Sequence, residues 1–384
     1  MIYFLVNNDY QLFDVRRHLA DLAAHGQQPA LIEVPHNLRS QDRGAGFART
    51  DTFETPLKGR GPAAAWAKYW SCSKQIRRRI QPSREDVLFL YTEYELLNHL
   101  LAREFKCGGA RVYLIEDGGM ATYLPLSLSS TESFTTREAV KGAMTRLIPG
   151  LAATRFHKAN GIVFPWLEDS QLDGICLYRA VDIARKIPTF LIEEPPQAPL
   201  TREPGRVLFL NERIYDYYQT RPQFLRGLEL ILESLTRGFS EVLFKFHPSE
   251  SAAWIGDIGA LLQQRYPSIR VIEDKAAVET IIERYAPEVV ASYCCTALLS
   301  LWGRGIQPLY LYHLFEEMAS QKLFRQMTTL LSRWNYAFVD SFAAVRSGYR
   351  CGFNFDGQSR RTSLFELAAM GAGRNAIETG ALKS

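Results

Sequence analysis

The amino-acid sequence predicts an α/β protein made of two Rossmann-like domains that face each other across a cleft. Short apolar runs alternate with helical patterns from Ile2 onward, which is typical of parallel βαβ units. The alternation stops at a Pro-rich stretch and starts again near Arg206, and 384 residues are enough for two domains. Polar residues follow the ends of several apolar runs, and in open α/β sheets that edge is where ligands bind.

In the first half, apolar runs predict strands, and an apolar residue at about every 3.6 positions predicts helices. The predicted strands are 2–6, 30–34, 86–91, 111–115, 161–164 and 189–192. The predicted helices are one from Phe13 that ends at Gly26, one at 63–80 and one at 94–105. Residues 40–62 are polar and Gly-rich, and they predict a long loop.

The second half repeats the alternation, with predicted strands at 206–210, 241–244, 269–272, 288–291 and 308–312. Its predicted helices are 224–235, 252–266, 278–285, 297–302 and 364–370. Between the halves, the prolines within 193–200 exclude a helix or a central strand. We therefore predict domains at 1–192 and 205–384, joined by a Pro-rich linker at 193–204.

The composition is that of a soluble globular protein, because 47% of the residues are hydrophobic and 22% are charged. A net charge of +4 is too small to indicate a nucleic-acid partner by itself, and it suits an anionic ligand. The six cysteines contain no CxxC pair and fit no zinc-site spacing, which favours reduced thiols in the cytoplasm. Neither a signal peptide nor a run of about 20 apolar residues is found.

The predicted helix at 63–80 carries a basic cluster of Lys74, Arg77, Arg78 and Arg79. Such a cluster is ordinarily a solvated helix face, but it also suits anionic lipid headgroups. We therefore expect a cytoplasmic protein and keep open a peripheral contact with the inner membrane.

An acidic pair follows the apolar strand at 111–115. Glu116 and Asp117 arrive at the carboxyl end of that strand, and Gly118 lets the backbone approach a ligand closely. Adjacent carboxylates can raise one pKa, which suits a general base, although an acidic turn after a strand is common. At the same edge, Asn7 and Asn8 offer hydrogen bonds to an acceptor substrate, with helix capping as the alternative.

A basic group closes the predicted strand at 241–244. Residues two apart on a strand share a face, so Lys245 and His247 point the same way, and Pro248 keeps His247 extended. This pair suits an anion at the sheet edge, although a His that merely ends a strand is an equally simple reading.

Two further stretches at the same edge suit a nucleotide. The helix that begins at Thr296, after Cys295, offers backbone amides to a phosphate, or is simply capped there. Glu273 and Asp274 offer acceptors for ribose hydroxyls, or are exposed loop charges.

A base in one half and an anion site in the other form the layout of a transferase that activates an acceptor hydroxyl and expels a nucleotide. The sequence contains no Asp-x-Asp, the motif with which many nucleotide-sugar transferases hold a metal. No metal or other cofactor is therefore expected, and His247, Lys245 and backbone amides would stabilise the leaving group.

Three stretches resemble the motifs of bacterial sialyltransferases: 114–118 with Thr122 and Tyr123 downstream, 244–248, and the small-residue turn at 294–296. They resemble an acidic-acidic-Gly motif, a His-Pro motif and a Ser-Ser/Thr motif, respectively. The lipooligosaccharide sialyltransferase family is the closest in pattern, and the capsular polysialyltransferases are related to it. The resemblance covers roughly residues 1–340, and its specificity lies in the set of three motifs.

The resemblance implies a GT-B fold, CMP-sialic acid as the donor, and metal-independent transfer with inversion to a hydroxyl of a cell-surface glycan, either lipooligosaccharide or capsule. It makes the first domain acceptor-binding and the second nucleotide-sugar-binding. Glu116 or Asp117 becomes the base, with Glu116 favoured, and His247 contacts the CMP phosphate and can act as an acid. Two cysteines stand where hydroxyls are usual, which admits a related sugar such as Kdo.

Two other hypotheses stay open at this point. A CDP-glycerol phosphotransferase of the teichoic-acid type also uses a GT-B scaffold and His motifs. A basic, two-lobed binding module without enzymatic activity would give the same alternation of strands and helices. Glu116 and His247 separate the binding module from the transferase, because only an enzyme needs both. The donor that is consumed, CMP-sialic acid or CDP-glycerol, separates the two enzymes.

Overall fold

The computed structural model describes residues 1–38, 42–54, 62–117, 132–148, 150–159, 162–194, 200–215, 220–274, 276–295, 297–301, 305–346 and 361–370. These residues group into two compact units. The first unit holds those within 1–117, 126–196 and 358–384, and the second holds those within 197–357. None of the helices in the described ranges is long and apolar enough to cross a bilayer.

The first unit contains nine strands. They are β1 (Ile2–Asn8), β2 (Ala30–Asn37), β3 (Arg49–Thr52), β4 (Val87–Leu90), β5 (Arg111–Ile115), β6 (Thr154–Ala159), β7 (Ile162–Leu167), β8 (Gly174–Leu177) and β9 (Thr189–Leu191). Seven of them form one parallel sheet in the order β3-β2-β1-β4-β5-β8-β9. The order reverses between β1 and β4, and β6 pairs antiparallel with β7 in a separate hairpin.

The helices of this unit are α1 (Asp9–Ala24), α2 (Pro62–Arg79), α3 (Leu96–Cys107) and α4 (Thr136–Arg146). β1 is buried on both faces, as its unbroken apolar run requires of a central parallel strand. Leu12, Val15 and Leu22 of α1 lie in the core cluster, and Gly26 at φ +70° follows the end of that helix.

Several elements of this unit escaped the sequence prediction. β3 lies inside the stretch 40–62, which the sequence predicted to be a loop. It was missed because its residues are polar, and Asp51 is buried there through ion pairs with Arg49 and Arg79. β6 is rich in polar residues, and β8 is only four residues long. α4 is stabilised by a capping box between Thr135 and Glu138. Apolar periodicity is weak in each of them.

The second unit contains β10 (Glu203–Leu210), β11 (Glu241–Lys245), β12 (Arg270–Ile272), β13 (Pro287–Ser292) and β14 (Gln307–Tyr310). They form a parallel sheet in the order β12-β11-β10-β13-β14, so the order reverses between β10 and β13. Its helices are α5 (Arg221–Gly238), α6 (Ala252–Arg265), α7 (Val278–Tyr285), α8 (Ala297–Leu301), α9 (Glu316–Ala319), α10 (Lys322–Arg333) and α11 (Phe342–Arg346). Both units are therefore Rossmann-like, as predicted.

The last described helix, α12 (Leu364–Ala369), groups with the first unit, whereas the sequence assigned all of 205–384 to the second domain. The Arg111 guanidinium donates to the carbonyls of Leu367 and Ala368 at 2.7 and 2.6 Å, which satisfies the end of the helix. Leu364 and Leu367 also lie in the same core cluster as α1. The position of α12 in the chain does not by itself reveal that the helix packs against the first unit.

Candidate active site

The predicted acidic pair lies at the carboxyl end of β5, and its two members have different surroundings. Glu116 is only 1% exposed. Its Oε2 accepts from the Tyr178 amide at 3.0 Å, and its Oε1 lies 3.4 Å from Nη1 of the buried Arg179. Glu116 therefore connects β5 to the segment after β8. This placement argues against Glu116 as the favoured base, because its carboxylate is buried and engaged.

Asp117 is partly exposed and is the titrating member of the pair. Burial raises the pKa of Asp117 to about 7. The Gln11 side chain opposes this rise in pKa, the negative charges of Asp14 and Glu116 add to it, and the Asn8 side chain opposes it more weakly. A carboxyl group that titrates near neutrality can act as a general base at physiological pH.

The start of α1 supplies the amides beside Asp117. The Asn8 side chain accepts from the backbone amide of Gln11 at 2.9 Å, so Asn8 caps helix α1, as the alternative interpretation predicted. Gln11 is fully buried, and its Oε1 accepts from the backbone amide of Asn7 at 2.6 Å. Among the described residues its Nε2 has no partner in hydrogen-bond geometry, although its side chain lowers the pKa of Asp117.

Asn7 does not have the surroundings that acceptor binding requires. It is 2% exposed, and its Nδ2 donates to the Val34 carbonyl at 3.0 Å. The Asn98 amide donates to its Oδ1 at 2.9 Å. Asn7 therefore joins β1 to β2 and α3 inside the sheet edge, in place of the predicted acceptor contact. Gly118, the third predicted acceptor residue, lies outside the described residues.

A buried polar network supports this edge from below. Asp14 accepts from the hydroxyls of Tyr91 and Tyr178 at 2.9 and 2.8 Å and from Arg17 at 3.0 Å. The His18 ring contacts the same Tyr178 hydroxyl at 2.8 Å. The sequence prediction missed this network. The sequence feature that could have predicted it is a pair of titratable residues, Asp14 and His18, placed four apart within the apolar pattern of α1.

A pocket of about 680 Å³ lies beside the β6–β7 hairpin. Its walls include His157, Trp166 and Arg185. Arg185 donates to Glu93, Asp169 and the Leu167 carbonyl at 2.7, 2.9 and 2.6 Å, so it is held firmly. His157 is 4% exposed, and its Nε2 has no hydrogen-bond partner among the described residues, which is costly unless a ligand or water completes it.

An aromatic row links this pocket to Asp117. Phe164 and Trp166 are two apart on β7 and share a face, and their cross-strand partners are His157 and Arg155. The Tyr94 ring lies 5.2 Å from Phe164, and burial followed by the charge of Asp117 raises the pKa of Tyr94. Tyr94 is itself 40% exposed and thus accessible to a ligand at this edge.

In the second unit, His247 follows β11 as predicted, and the structure defines its tautomer. The Ser249 amide donates to His247 Nδ1 at 3.2 Å, and the Ser249 hydroxyl lies 2.8 Å from the same atom. Since an amide can only donate, Nδ1 accepts and Nε2 carries the proton of the neutral ring. Burial, followed by the charges of Arg213 and Lys245, lowers the pKa of His247.

The other predicted nucleotide contacts near His247 differ in availability. Lys245 is buried, and its Nζ donates to the Asp274 carbonyl at 2.8 Å. The Asp274 carboxylate accepts from the Ala276 amide at 2.8 Å and pairs with Arg284, so it holds its own turn. Pro248 and Glu273 are exposed, which leaves Glu273 as the more accessible carboxylate for ribose hydroxyls.

A carboxylate of the protein, that of Glu212, binds the turn just before α8. Glu212, which follows β10, accepts from the Cys294 amide at 2.6 Å and the Ser292 hydroxyl at 2.7 Å, and it also accepts from the Cys295 amide. Burial raises the pKa of the Cys295 thiol, and the Ala297 amide opposes this rise. The Cys294 amide is therefore not open to a phosphate. Thr296, where the predicted phosphate site begins, lies outside the described residues, so that site stays a prediction.

The position of Glu212 explains why the sequence missed it. Strand order reverses between β10 and β13, and Glu212 bridges the ends of these two strands. Burial raises the pKa of Glu212, while the amides of Cys294 and Cys295 oppose the shift. A single acid after a strand gives no sign of this role.

The fold places the protein in a class. A proposed UDP-N-acetylglucosamine 2-epimerase from Listeria monocytogenes has 9% sequence identity to the chain, covers 94% of it over 98% of its own length, and superposes with a TM-score of 0.50. The UDP-GlcNAc 2-epimerase from Methanocaldococcus jannaschii has 10% identity, covers 86% of the chain over 87% of its own, and also reaches 0.50. The chain has the α/β GT-B fold, as predicted.

The chain belongs to the alpha-2,8-polysialyltransferase family, whose sequence profile matches residues 65–301. It is therefore a glycosyltransferase, and the resemblance to bacterial sialyltransferases is confirmed. The matched stretch contains the acidic pair, His247 and Cys295. No curated protein sequence matches the chain.

We expect Asp117→Asn to make the protein more stable at alkaline pH. The raised pKa means that the folded state holds the Asp117 proton more tightly than the unfolded state, so stability falls as pH rises from about 4 to about 7. The variant lacks this loss. Its advantage in Tm should therefore grow over that interval and stay constant above it, as thermal melts at several pH values would show.

Glu116→Gln is the matched control for this measurement. It weakens a buried ion pair and should lower stability by about 1–3 kcal/mol at neutral pH. Equal melting temperatures for Asp117→Asn and the parent protein at every pH would contradict the titration assigned to Asp117.

Proposed function

We propose that the protein is an inverting, metal-independent sialyltransferase of the bacterial cytoplasm. It would move sialic acid, or a related nonulosonic acid, from CMP-sialic acid to a hydroxyl of a cell-surface glycan such as lipooligosaccharide or capsule. The observation that carries the proposal is the Asp117 carboxyl group, whose pKa is about 7. Family membership supports the transferase chemistry, and the acidic motif lies within the matched residues.

Asp117 would act as the general base. The acceptor hydroxyl attacks the anomeric carbon on the face opposite CMP, a carbon–oxygen bond forms, and the bond from that carbon to the phosphate oxygen breaks. Asp117 takes the hydroxyl proton, and CMP leaves with the electron pair of the broken bond. A base of pKa near the working pH is the most effective for this step. Glu116 would be a positioning residue, because Arg179 and the Tyr178 amide hold it.

The leaving phosphate would bind near His247. Its Nε2–H is a donor, and the charges of Arg213 and Lys245 make the neighbourhood positive. A well-placed donor to a developing anion contributes about 10²–10³ in rate. Metal independence rests on the absence of Asp-x-Asp from the sequence. The described residues contain no cluster of three or more His, Cys, Asp or Glu side chains that could hold a metal.

The acceptor glycan would extend from Asp117 toward the pocket beside the β6–β7 hairpin. Its aromatic and polar lining suits sugar rings, which present apolar faces and hydroxyl groups. The unpartnered His157 Nε2 would bind a hydroxyl group there.

The decisive experiment measures nucleotide release with two donors in the presence of a panel of glycan acceptors. We expect acceptor-dependent release of CMP from CMP-sialic acid and none from CDP-glycerol, in the presence or absence of a chelator. The rate should rise with pH through about 7, because Asp117 must lose its proton before it can act as a base.

Asp117→Asn should lower this rate by at least about 10²-fold while the protein stays folded. Glu116→Gln should retain more activity than Asp117→Asn when it is assayed below its melting temperature. A normal rate in folded Asp117→Asn, or turnover with CDP-glycerol alone, would refute the proposal.

His247→Ala should weaken CMP binding by at least about tenfold, and it should abolish proton uptake on binding. The pKa of His247 is lowered in the free protein, and a bound phosphate anion raises it, so the complex takes up protons at pH values between the free and the bound pKa. Calorimetry in two buffers of different ionisation enthalpy measures this uptake. Ser249→Ala keeps the ring and the Ser249 amide and should retain the uptake. Identical uptake in His247→Ala would exclude the assigned contact.

His157→Phe should raise the KM for the acceptor about threefold to tenfold, the value of one hydrogen bond, with kcat and the donor KM unchanged. Phe keeps the ring contact with Trp166. Lys158→Gln, on the opposite face of β6, is the control and should leave the acceptor KM unchanged. An unchanged acceptor KM in His157→Phe would remove the pocket from the acceptor path.

A further inference from the structure

Two tryptophans lie exposed on one side of α2. Trp66 is 43% exposed and Trp70 is 44% exposed, and their rings stack with centroids 6.2 Å apart. The Lys74 Nζ lies 3.4 Å from the centroid of the Trp70 ring. These three residues are spaced four apart, so they form one continuous stripe along the helix, which we call the Trp stripe.

The fold does not need the Trp stripe to hold α2 in place. The helix buries a different side, made of Tyr69, Ser73 and Ile76. Ser73 donates to Glu104 of α3 at 3.2 Å, and Arg77 donates to the same carboxylate at 2.7 and 3.1 Å. A contiguous exposed apolar surface rimmed by polar residues often marks an interaction site.

The charge of α2 is strongly one-sided. Residues 62–79 contain five basic side chains and no acidic one, namely Lys68, Lys74, Arg77, Arg78 and Arg79. Glu104 and Asp51 neutralise Arg77 and Arg79. Within the described ranges, Lys68, Lys74 and Arg78 have no carboxylate partner. An exposed apolar stripe is thus flanked by uncompensated positive charge.

We infer that the Trp stripe and its flanking cations dock this protein on an anionic lipid bilayer. Tryptophan favours the depth of the lipid headgroups, where its ring is apolar and its N–H stays hydrated. Lysine and arginine beside it bind the negative surface of a leaflet rich in acidic phospholipids. A helix of this kind lies in the plane of the interface, and the inference does not depend on the donor or the acceptor.

The test is cosedimentation with phosphatidylcholine vesicles that contain about 30% phosphatidylglycerol, compared with pure phosphatidylcholine. We expect the full-length protein to bind the anionic vesicles at least about tenfold more tightly and to lose binding as salt rises. Trp66→Ser with Trp70→Ser should weaken binding by about tenfold or more. Lys74→Gln with Arg78→Gln should weaken binding to anionic vesicles by about thirtyfold, which corresponds to two charges at the surface.

Matched double variants of the second unit are the controls. Leu230→Ser with Ile255→Ser removes apolar groups of similar exposure, and Arg237→Gln with Arg265→Gln removes the same charge. Both should bind vesicles as the parent protein does, and thermal melts should show that every variant is folded.

The inference is overturned if the parent protein ignores anionic vesicles, or if the tryptophan variant binds them as well as the parent does. A tryptophan variant with unchanged vesicle binding but a lower mass by light scattering would assign the stripe to self-association instead.

Discussion

The site of the first unit depends on how Glu116 is neutralised. Two adjacent carboxylates at a buried sheet edge repel each other, and both cannot stay ionised without a compensating charge. Arg179 and the Tyr178 amide satisfy Glu116 within 3.4 Å, whereas burial raises the pKa of Asp117 and the charges of Asp14 and Glu116 add to that rise. The same ion pair holds β5 against the segment after β8 and thereby fixes the direction in which Asp117 leaves the sheet. A structural salt bridge and a titrating carboxyl group are two results of one arrangement.

The second unit distributes charge differently. The crevice at its strand-order reversal is the usual ligand position in a doubly wound sheet, and here Glu212 already uses the amides of Cys294 and Cys295. A negative group in that position would repel a phosphate. The positive potential lies instead at the end of β11, where the charges of Arg213 and Lys245 act on His247.

The sequence predicted most of the strands and helices because the central parallel strands are buried on both faces and show as unbroken apolar runs. It missed β3 and β6, whose polar side chains are satisfied by partners distant in the chain, such as Arg79 for Asp51. The motif residues Asp117 and His247 were found because each follows a strand that is easy to recognise. The roles of Arg179, Gln11 and Glu212 were not, since each depends on contacts between segments that are far apart in the chain. The order of the two acids in the motif also favoured Glu116 over Asp117, and the ion pair between Glu116 and Arg179 is not visible in the sequence.

The fold by itself does not select the chemistry. Epimerases share the GT-B arrangement with this chain at TM-scores of 0.50, with at most 10% identity. What separates one activity from another must lie in the few side chains at the strand ends, where small changes of environment shift a pKa by several units. In this chain burial raises the pKa of Asp117 to about 7, whereas burial, followed by the charges of Arg213 and Lys245, lowers the pKa of His247. The proposed transfer depends on both environments, because it needs a group that can accept a proton in the first unit and a donor to the departing anion in the second.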